Sequence, residues 1–100
     1  MKSDDSNASL IRVGAILRET HHRIEAAERS RISQAEMAAR LGISARAYVD
    51  WLHGRGPSSV RALFDLLTML GDREVVEILS HWREGSRNSE KNEGGESDGA

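Results

Sequence analysis

The chain has 100 residues, enough for one domain, and its formal net charge of −2 does not show the overall basic character common in nucleic-acid-binding domains. It contains no cysteine, which excludes disulfides and thiolate metal sites, and only 38% of its residues are hydrophobic, which indicates that part of the chain is unpacked. The first residues, Met1 to Asp5, lack the apolar run typical of a signal peptide, and no apolar run approaches the roughly 18 residues of a membrane span. We therefore expect a soluble, cytoplasmic protein.

The charge is unevenly distributed along the chain. Residues 9–83 carry 11 arginines against 9 acidic residues, whereas residues 84–100 carry two basic and five acidic residues. Residues 1–8 and 86–100 lack large apolar side chains in a regular pattern and cannot bury enough surface to offset the entropy of ordering. We predict a disordered arm at 1–8, a folded and locally basic domain at 9–85, and a disordered acidic tail at 86–100.

Apolar residues at helical spacing predict five helices and no strand. The first runs from about Leu10 to Ala27. Ser33 and Glu36 form a predicted capping box for the second helix, which ends at Gly42. In the capping box, each side chain would bond to the backbone N–H of the other residue, and Ile32 and Met37 would form the accompanying hydrophobic staple.

The remaining three helices also have start signals. Ser44 caps a third helix over 45–52, and Pro57 with the serines after it opens a fourth helix that continues to about Leu70. Asp72 caps a fifth helix over 73–83. The predicted apolar face of the fourth helix consists of Val60, Leu63, Phe64, Leu67 and Leu70.

The second and third helices have the residue types of two helices that cross at a steep angle through a tight turn. Ala38 is small enough for a close crossing, and Gly42 lies in the turn. The apolar residues expected to hold this pair against the rest of the domain are Met37, Leu41, Ile43, Tyr48 and Trp51. The third helix would then present to solvent Ala45, Arg46, Val49 and Asp50.

The segment SQAEMAARLGISARAYVDWLHGRGP, residues 33–57, resembles the helix-turn-helix of the Cro and phage-repressor type, also called the xenobiotic response element family. The resemblance extends more weakly over residues 10–83 and implies an all-α, compact, five-helix lambda-repressor-like DNA-binding domain. Two positions depart from the family pattern. Leu52 stands where the family often has Glu, and Tyr48 stands where an aliphatic residue or Thr is usual, so Leu52 is a candidate for an apolar contact with a partner.

The resemblance implies that helix 45–52 enters the major groove of double-stranded DNA. Arg46 would bond guanine O6 and N7, Ala45 and Val49 would touch thymine methyls, and Asp50 would accept from a cytosine amino group. The expected phosphate contacts, which set position and not sequence choice, are Gln34, Arg40, Ser44 and Arg55.

Regulators of this type usually bind paired half-sites as dimers. The last helix is our candidate for a homodimer interface, through Val75, Ile78, Leu79 and Trp82. We therefore expect a sequence-specific, dimeric repressor that acts at its own promoter. The alternative is a protein-binding module on the same fold, such as an antitoxin or an accessory factor that neutralises a partner protein.

Catalytic and metal-binding functions have no support in the sequence. There is no cysteine nucleophile, no nucleophile-elbow serine and no phosphate-cradling glycine loop. His21 and His22 are adjacent and point about 100° apart on a helix, so they cannot easily share an ion. We expect no enzymatic activity, no cofactor and no bound metal.

Overall fold

The computed structural model describes residues 8–85; the predicted disordered segments 1–8 and 86–100 lie, apart from Ala8, outside the described residues. The described part is built from five helices and contains no strand, so the all-α prediction is confirmed. The helices are α1 (Lys2–Glu28), α2 (Gln34–Leu41), α3 (Ala45–Leu52), α4 (Val60–Leu67) and α5 (Asp72–Gly99).

Helices α1 and α5 lie antiparallel and are joined by charged and polar contacts. Near the start of the described part of α1, the Arg12 guanidinium donates to the Trp82 carbonyl at 2.8 Å and lies 3.9 Å from the Trp82 ring centroid. Further along α1, Arg23 pairs with Glu77 on α5, with Nη1 and Oε1 2.6 Å apart. Because early residues of α1 meet late residues of α5, the two helices run in opposite directions.

One core joins all five helices. Trp51 and Tyr48 of α3 are its largest fully buried side chains, and the indole N–H of Trp51 donates to the Ser58 hydroxyl at 3.1 Å. Each large aromatic side chain buries about 150–250 Å², so these two residues make large individual contributions to the core. The core is completed by residues from the other helices, chiefly Leu17, Ile24, Met37, Leu41, Leu66 and Ile78.

Helix α1 lies unusually close to the C-terminal end of α3. A Cβ atom on Gly14 would lie 2.8 Å from the Leu52 carbonyl oxygen and 2.9 Å from the Gly54 nitrogen, distances that side chains do not tolerate. The Arg18 guanidinium donates to the same Leu52 carbonyl. The end of α3 is therefore fixed against α1 by close backbone packing and by a charged donor.

Several predicted helix bounds need correction. Helix α1 begins before Leu10 and ends at Glu28, and α5 begins at Asp72 itself and continues past Arg83 to the end of the described range. Helix α4 ends at Leu67, with Thr68 as its C-cap, and does not reach Leu70. Helix ends fray and are the least sharply defined part of a helix, so shifts of one to a few residues at these positions leave the order of the elements unchanged.

The predicted apolar face of α4 is wrong in part. Val60 and Phe64 are 67% and 60% exposed, whereas Ala62 and Leu66 are fully buried. The stripe of apolar residues is wider than the face that meets the core, and the smaller Ala62 allows α4 to approach closely there.

Two other expectations about surfaces are also wrong. Leu52 is 4% exposed and packs in the core, so it offers no contact to a partner. Ile78 is 1% exposed and packs in the same core, so it cannot line a dimer interface. Leu79, one residue later on α5, is 51% exposed.

Candidate nucleic-acid interface

Helix α2 begins at the predicted serine cap. The Ser33 hydroxyl accepts a hydrogen bond from the Glu36 backbone N–H at 3.0 Å, which satisfies one of the free donors at the helix start. The Glu36 carboxylate accepts from the Arg40 guanidinium at 3.1 Å, one turn along the helix. The Ser33 half of the predicted capping box is therefore confirmed, while the Glu36 side chain is used for an ion pair.

The turn between α2 and α3 is closed by Gly42 in the left-handed conformation, with φ 72°. The Gly42 N–H donates to the Ala39 carbonyl at 3.2 Å and the Ile43 N–H donates to the Ala38 carbonyl at 3.1 Å. This pair of bonds is a Schellman motif, which ends a helix sharply and commonly uses glycine at that position. The Ser44 hydroxyl then accepts from the Ala47 N–H at 3.0 Å and starts α3.

The inner side of the helix-turn-helix agrees with the prediction. Ala38 is buried where α2 and α3 cross, and Ile43 is half-buried. The other residues expected to hold the pair are all buried, namely Met37, Leu41, Tyr48 and Trp51. The second helix of the motif is therefore packed against the core through Tyr48 and Trp51.

The outer side of α3 carries the four residues predicted to face DNA. Ala45 and Arg46 are exposed, and Val49 and Asp50 are half-buried. Among the described residues, no carboxylate forms an ion pair with Arg46, whereas carboxylates do pair with Arg23, Arg40, Arg55 and Arg61. Arg46 thus presents an uncompensated positive charge in the middle of this face.

Asp50 is not a free acceptor on this surface. The Arg55 guanidinium donates to one Asp50 oxygen through Nε at 3.2 Å and Nη2 at 3.0 Å, and the Arg55 N–H donates to the Asp50 carbonyl at 2.8 Å. The structure brings the predicted base reader Asp50 and the predicted phosphate contact Arg55 together as an ion pair. The carboxylate is therefore already partly neutralised beside α3.

Arg40 is also committed within the protein. Its guanidinium bonds both oxygens of Glu28, at 2.7 and 3.0 Å, in addition to Glu36. The hydrogen bond from Arg40 holds the pKa of the Glu28 carboxyl below its usual value. Two carboxylates around one guanidinium cancel the positive charge that a phosphate contact would require.

Gln34 is exposed at the first residue of α2 and lies beside a groove lined also by Arg18, Arg31 and Ser33. Arg31 is exposed, and sequence reasoning did not single it out as a site residue. Ser44 is exposed, and its hydroxyl oxygen accepts the capping bond described above, so its own hydrogen remains available to donate.

Two of these ion pairs had a signal in the sequence. Glu36 and Arg40 stand four residues apart on one helix, a spacing that places opposite charges side by side. Asp50 and Arg55 flank the C-terminal end of α3, where a chain that turns back can bring them together. The pairing of Arg40 with Glu28, twelve residues away, had no such local signal.

Two other classes of feature, metal sites and membrane spans, are absent from the described part of the chain. It contains no group of three or more His, Asp or Glu side chains placed to hold a metal ion. No helix there is both long and apolar enough to cross a membrane.

Comparison with known proteins gives one match. A family model described as helix-turn-helix matches residues 24–78, more than half of the chain, and includes α2, the turn, α3 and α4. No curated protein and no solved structure matches. Because the match spans more than half of the chain and agrees with the geometry of the motif, the chain belongs to the helix-turn-helix family of the Cro and repressor type, a family of DNA-binding regulators.

Proposed function

We propose that this chain is a sequence-specific transcriptional repressor that inserts α3 into the major groove of its operator. The proposal is supported by the contrast between the buried and the exposed sides of α3. Tyr48 and Trp51 are buried behind the helix, while Arg46 points outward without a carboxylate partner among the described residues. A rigid helix with a free guanidinium is suited to bidentate contact with a guanine edge.

The remaining contacts divide by chemistry. Ala45 and Val49 offer methyl groups to thymine, whereas Gln34 and Ser44 offer neutral donors to phosphate oxygens. Arg55 also faces phosphate, oriented by its bond to Asp50, so Asp50 acts as a support for Arg55 and not as a base reader. Arg40 is left out of the contact set because two carboxylates already surround it.

We further propose that the protein works in the cytoplasm as a homodimer on paired half-sites, with α5 as the contact between the two copies. Val76 and Leu79 are 61% and 51% exposed, and Val75 and Trp82 are half-buried beside them. Apolar residues exposed on one helix form the kind of surface that association covers. The substitution Leu79→Lys should lower the mass in solution from dimer to monomer, and a wild-type protein that is strictly monomeric with and without DNA would rule out the dimer.

The experiment for DNA binding starts from a pool of random duplex sequences. Wild-type protein should enrich one sequence, and Arg46→Ala should lose preference at a guanine position within it. Arg73→Ala is the matched control, because it removes the same charge from an exposed site on α5. If wild type enriches nothing over random duplex, the repressor function is wrong; if Arg73→Ala and Arg46→Ala lose preference equally, Arg46 is not the reader.

A second candidate is a protein-binding module, such as an antitoxin or an accessory factor that neutralises a partner. It is favoured by the exposure of Val60 and Phe64, which stand one turn apart on α4. Under this alternative, Phe64→Lys abolishes capture of a partner and leaves DNA binding intact.

A further inference from the structure

A chain of hydrogen bonds in the interior connects α1 to both helices of the helix-turn-helix. His21 of α1 is 7% exposed and Tyr48 of α3 is fully buried. The His21 Nδ1 lies 2.7 Å from the Tyr48 hydroxyl, and its Nε2 lies 2.7 Å from the Ile32 carbonyl oxygen. Ile32 directly precedes Ser33, the residue that caps α2.

The direction of each bond follows from the partners. A carbonyl oxygen can only accept, so His21 Nε2 carries the hydrogen and donates to Ile32. In the tautomer that carries its single hydrogen on Nε2, Nδ1 is an acceptor and the Tyr48 hydroxyl donates to it. Both ring nitrogens are used, which fixes the tautomer and the orientation of the imidazole.

The backbone N–H of Ile32, just before α2, is also hydrogen-bonded to α1. The Ile32 N–H donates to the Glu25 carboxylate at 2.8 Å, and this bond lowers the pKa of Glu25. The backbone of Ile32 is therefore bonded to α1 through both its N–H and its carbonyl. The continuous chain of partners is Glu25, Ile32, His21 and Tyr48.

Apolar packing alone allows a helix to rotate or slide by small amounts. Hydrogen bonds in a buried network are directional, so they restrict the orientation of the helix that carries them. Tyr48 stands between Arg46 and Val49 on α3, so a fixed Tyr48 hydroxyl fixes the rotation of the helix that carries them. A site that must match a base edge loses discrimination when its support is loose.

We propose that His21 and Tyr48 are positioning residues for DNA readout: their buried bond sets the orientation of α3 relative to α1 and to the start of α2. This inference rests on the proposed DNA-binding function. It concerns the geometry that presents Arg46 and Gln34 together, and neither His21 nor Tyr48 touches DNA.

The test compares Tyr48→Phe with Thr20→Val. Tyr48→Phe removes the hydroxyl and keeps the ring in the core. Thr20→Val removes another buried hydroxyl bond, from Thr20 to the Ile16 carbonyl, which lies within α1 and does not reach the helix-turn-helix. Both variants are measured on the duplex that wild type enriches and on random duplex of equal length, at one salt concentration and at a temperature where all are folded.

In Tyr48→Phe, the ratio of the affinity for the enriched duplex to the affinity for random duplex should fall about tenfold. A fall of this size lies within the range of discrimination that one base contact supplies. Affinity for random duplex and its salt dependence should be unchanged, because phosphate contacts supply them. Thr20→Val should keep the wild-type ratio. A Tyr48→Phe ratio within twofold of wild type, or an equal fall in both variants, would overturn the inference.

A second variant and a measurement without DNA distinguish a failure of the positioning role from a failure of the proposed DNA-binding function. His21→Gln should lower the same ratio, and adding Tyr48→Phe to it should change little further if the pair acts as one unit. In the free protein, backbone amides of residues 45–52 should exchange faster in Tyr48→Phe than in Thr20→Val. If exchange rises but wild type enriches no sequence, the proposed function fails while the positioning bond stands; if exchange in α3 is equal in the two variants, the positioning role fails.

Discussion

Helices α3 and α4 are similar in their local structure and opposite in their surroundings. Each has eight residues and begins at a serine whose hydroxyl accepts a backbone N–H three residues later, at 3.0 Å for Ser44 and 3.1 Å for Ser59. Yet the aromatic residues of α3 are buried, while Phe64 of α4 is 60% exposed. Capping starts a helix, but contacts with the other helices decide which of its faces is buried.

The largest expected difference in stability is between substitutions of the aromatic residues of α3 and of α4. Trp51→Ala should lower the free energy of unfolding by about 3–5 kcal/mol, because it empties a fully packed site. Phe64→Ala should change it by less than about 0.5 kcal/mol, since the ring is mostly in water. Denaturant unfolding of both variants measures this, and a similar cost for the two would contradict the burial of one and the exposure of the other.

A substitution in the turn that precedes α3 should cause the next largest loss of stability. Gly42→Ala places a Cβ in the left-handed region and should cost about 1–2 kcal/mol. Gly71→Ala is the control, because Gly71 precedes α5 without a positive φ and a Cβ there meets nothing within 4 Å. Thermal unfolding of the pair is the measurement, and equal midpoints would mean that the turn is not held as described.

The similarity of the two helices is testable through their caps. Ser44→Ala and Ser59→Ala should each cost about 1 kcal/mol of stability, since each removes the same kind of capping bond. In DNA binding the two should differ, because only Ser44 lies on the proposed phosphate-contacting surface. A loss of affinity with Ser59→Ala as large as with Ser44→Ala would place the interface elsewhere.

The smallest effect concerns pH and the bond that holds the start of α2. The Ile32 N–H lowers the pKa of Glu25 below its usual 4.5 in the folded protein. The stability contributed by this carboxylate is therefore present above about pH 4.5 and is lost as the pH falls through the lowered folded value. Glu25→Gln should flatten the fall in stability between pH 5 and about 3, and unfolding curves that stay parallel to wild type would exclude this contribution.

Sequence reasoning identified the helix-turn-helix because its signals are local. Ser33, Gly42 and Ser44 act within a few residues of their own positions, so their roles can be inferred from spacing. The outward position of Arg46 follows from the same spacing, once the buried positions of α3 are known. Fold class and the face of α3 were therefore predictable.

The remaining features depend on contacts between distant segments. The burial of Leu52 follows from the close approach of α1 at Gly14. No local sequence pattern predicts that approach. The exposure of Val60 and Phe64, and the placement of Ile78 in the core, follow from how α4 and α5 lie against the other helices. The same holds for the bond between His21 and Tyr48, which lie 27 positions apart in the chain.

Readout of the major groove by Arg46 is tested by combining one change in the protein with one change in the DNA. Each guanine of the duplex enriched by wild type is replaced in turn by 7-deazaguanine, which lacks the N7 acceptor. At one guanine, the replacement should weaken wild type by about tenfold and leave Arg46→Ala unchanged, because the variant no longer makes that bond. If every replacement weakens the two proteins equally, Arg46 does not contact guanine N7 in the major groove.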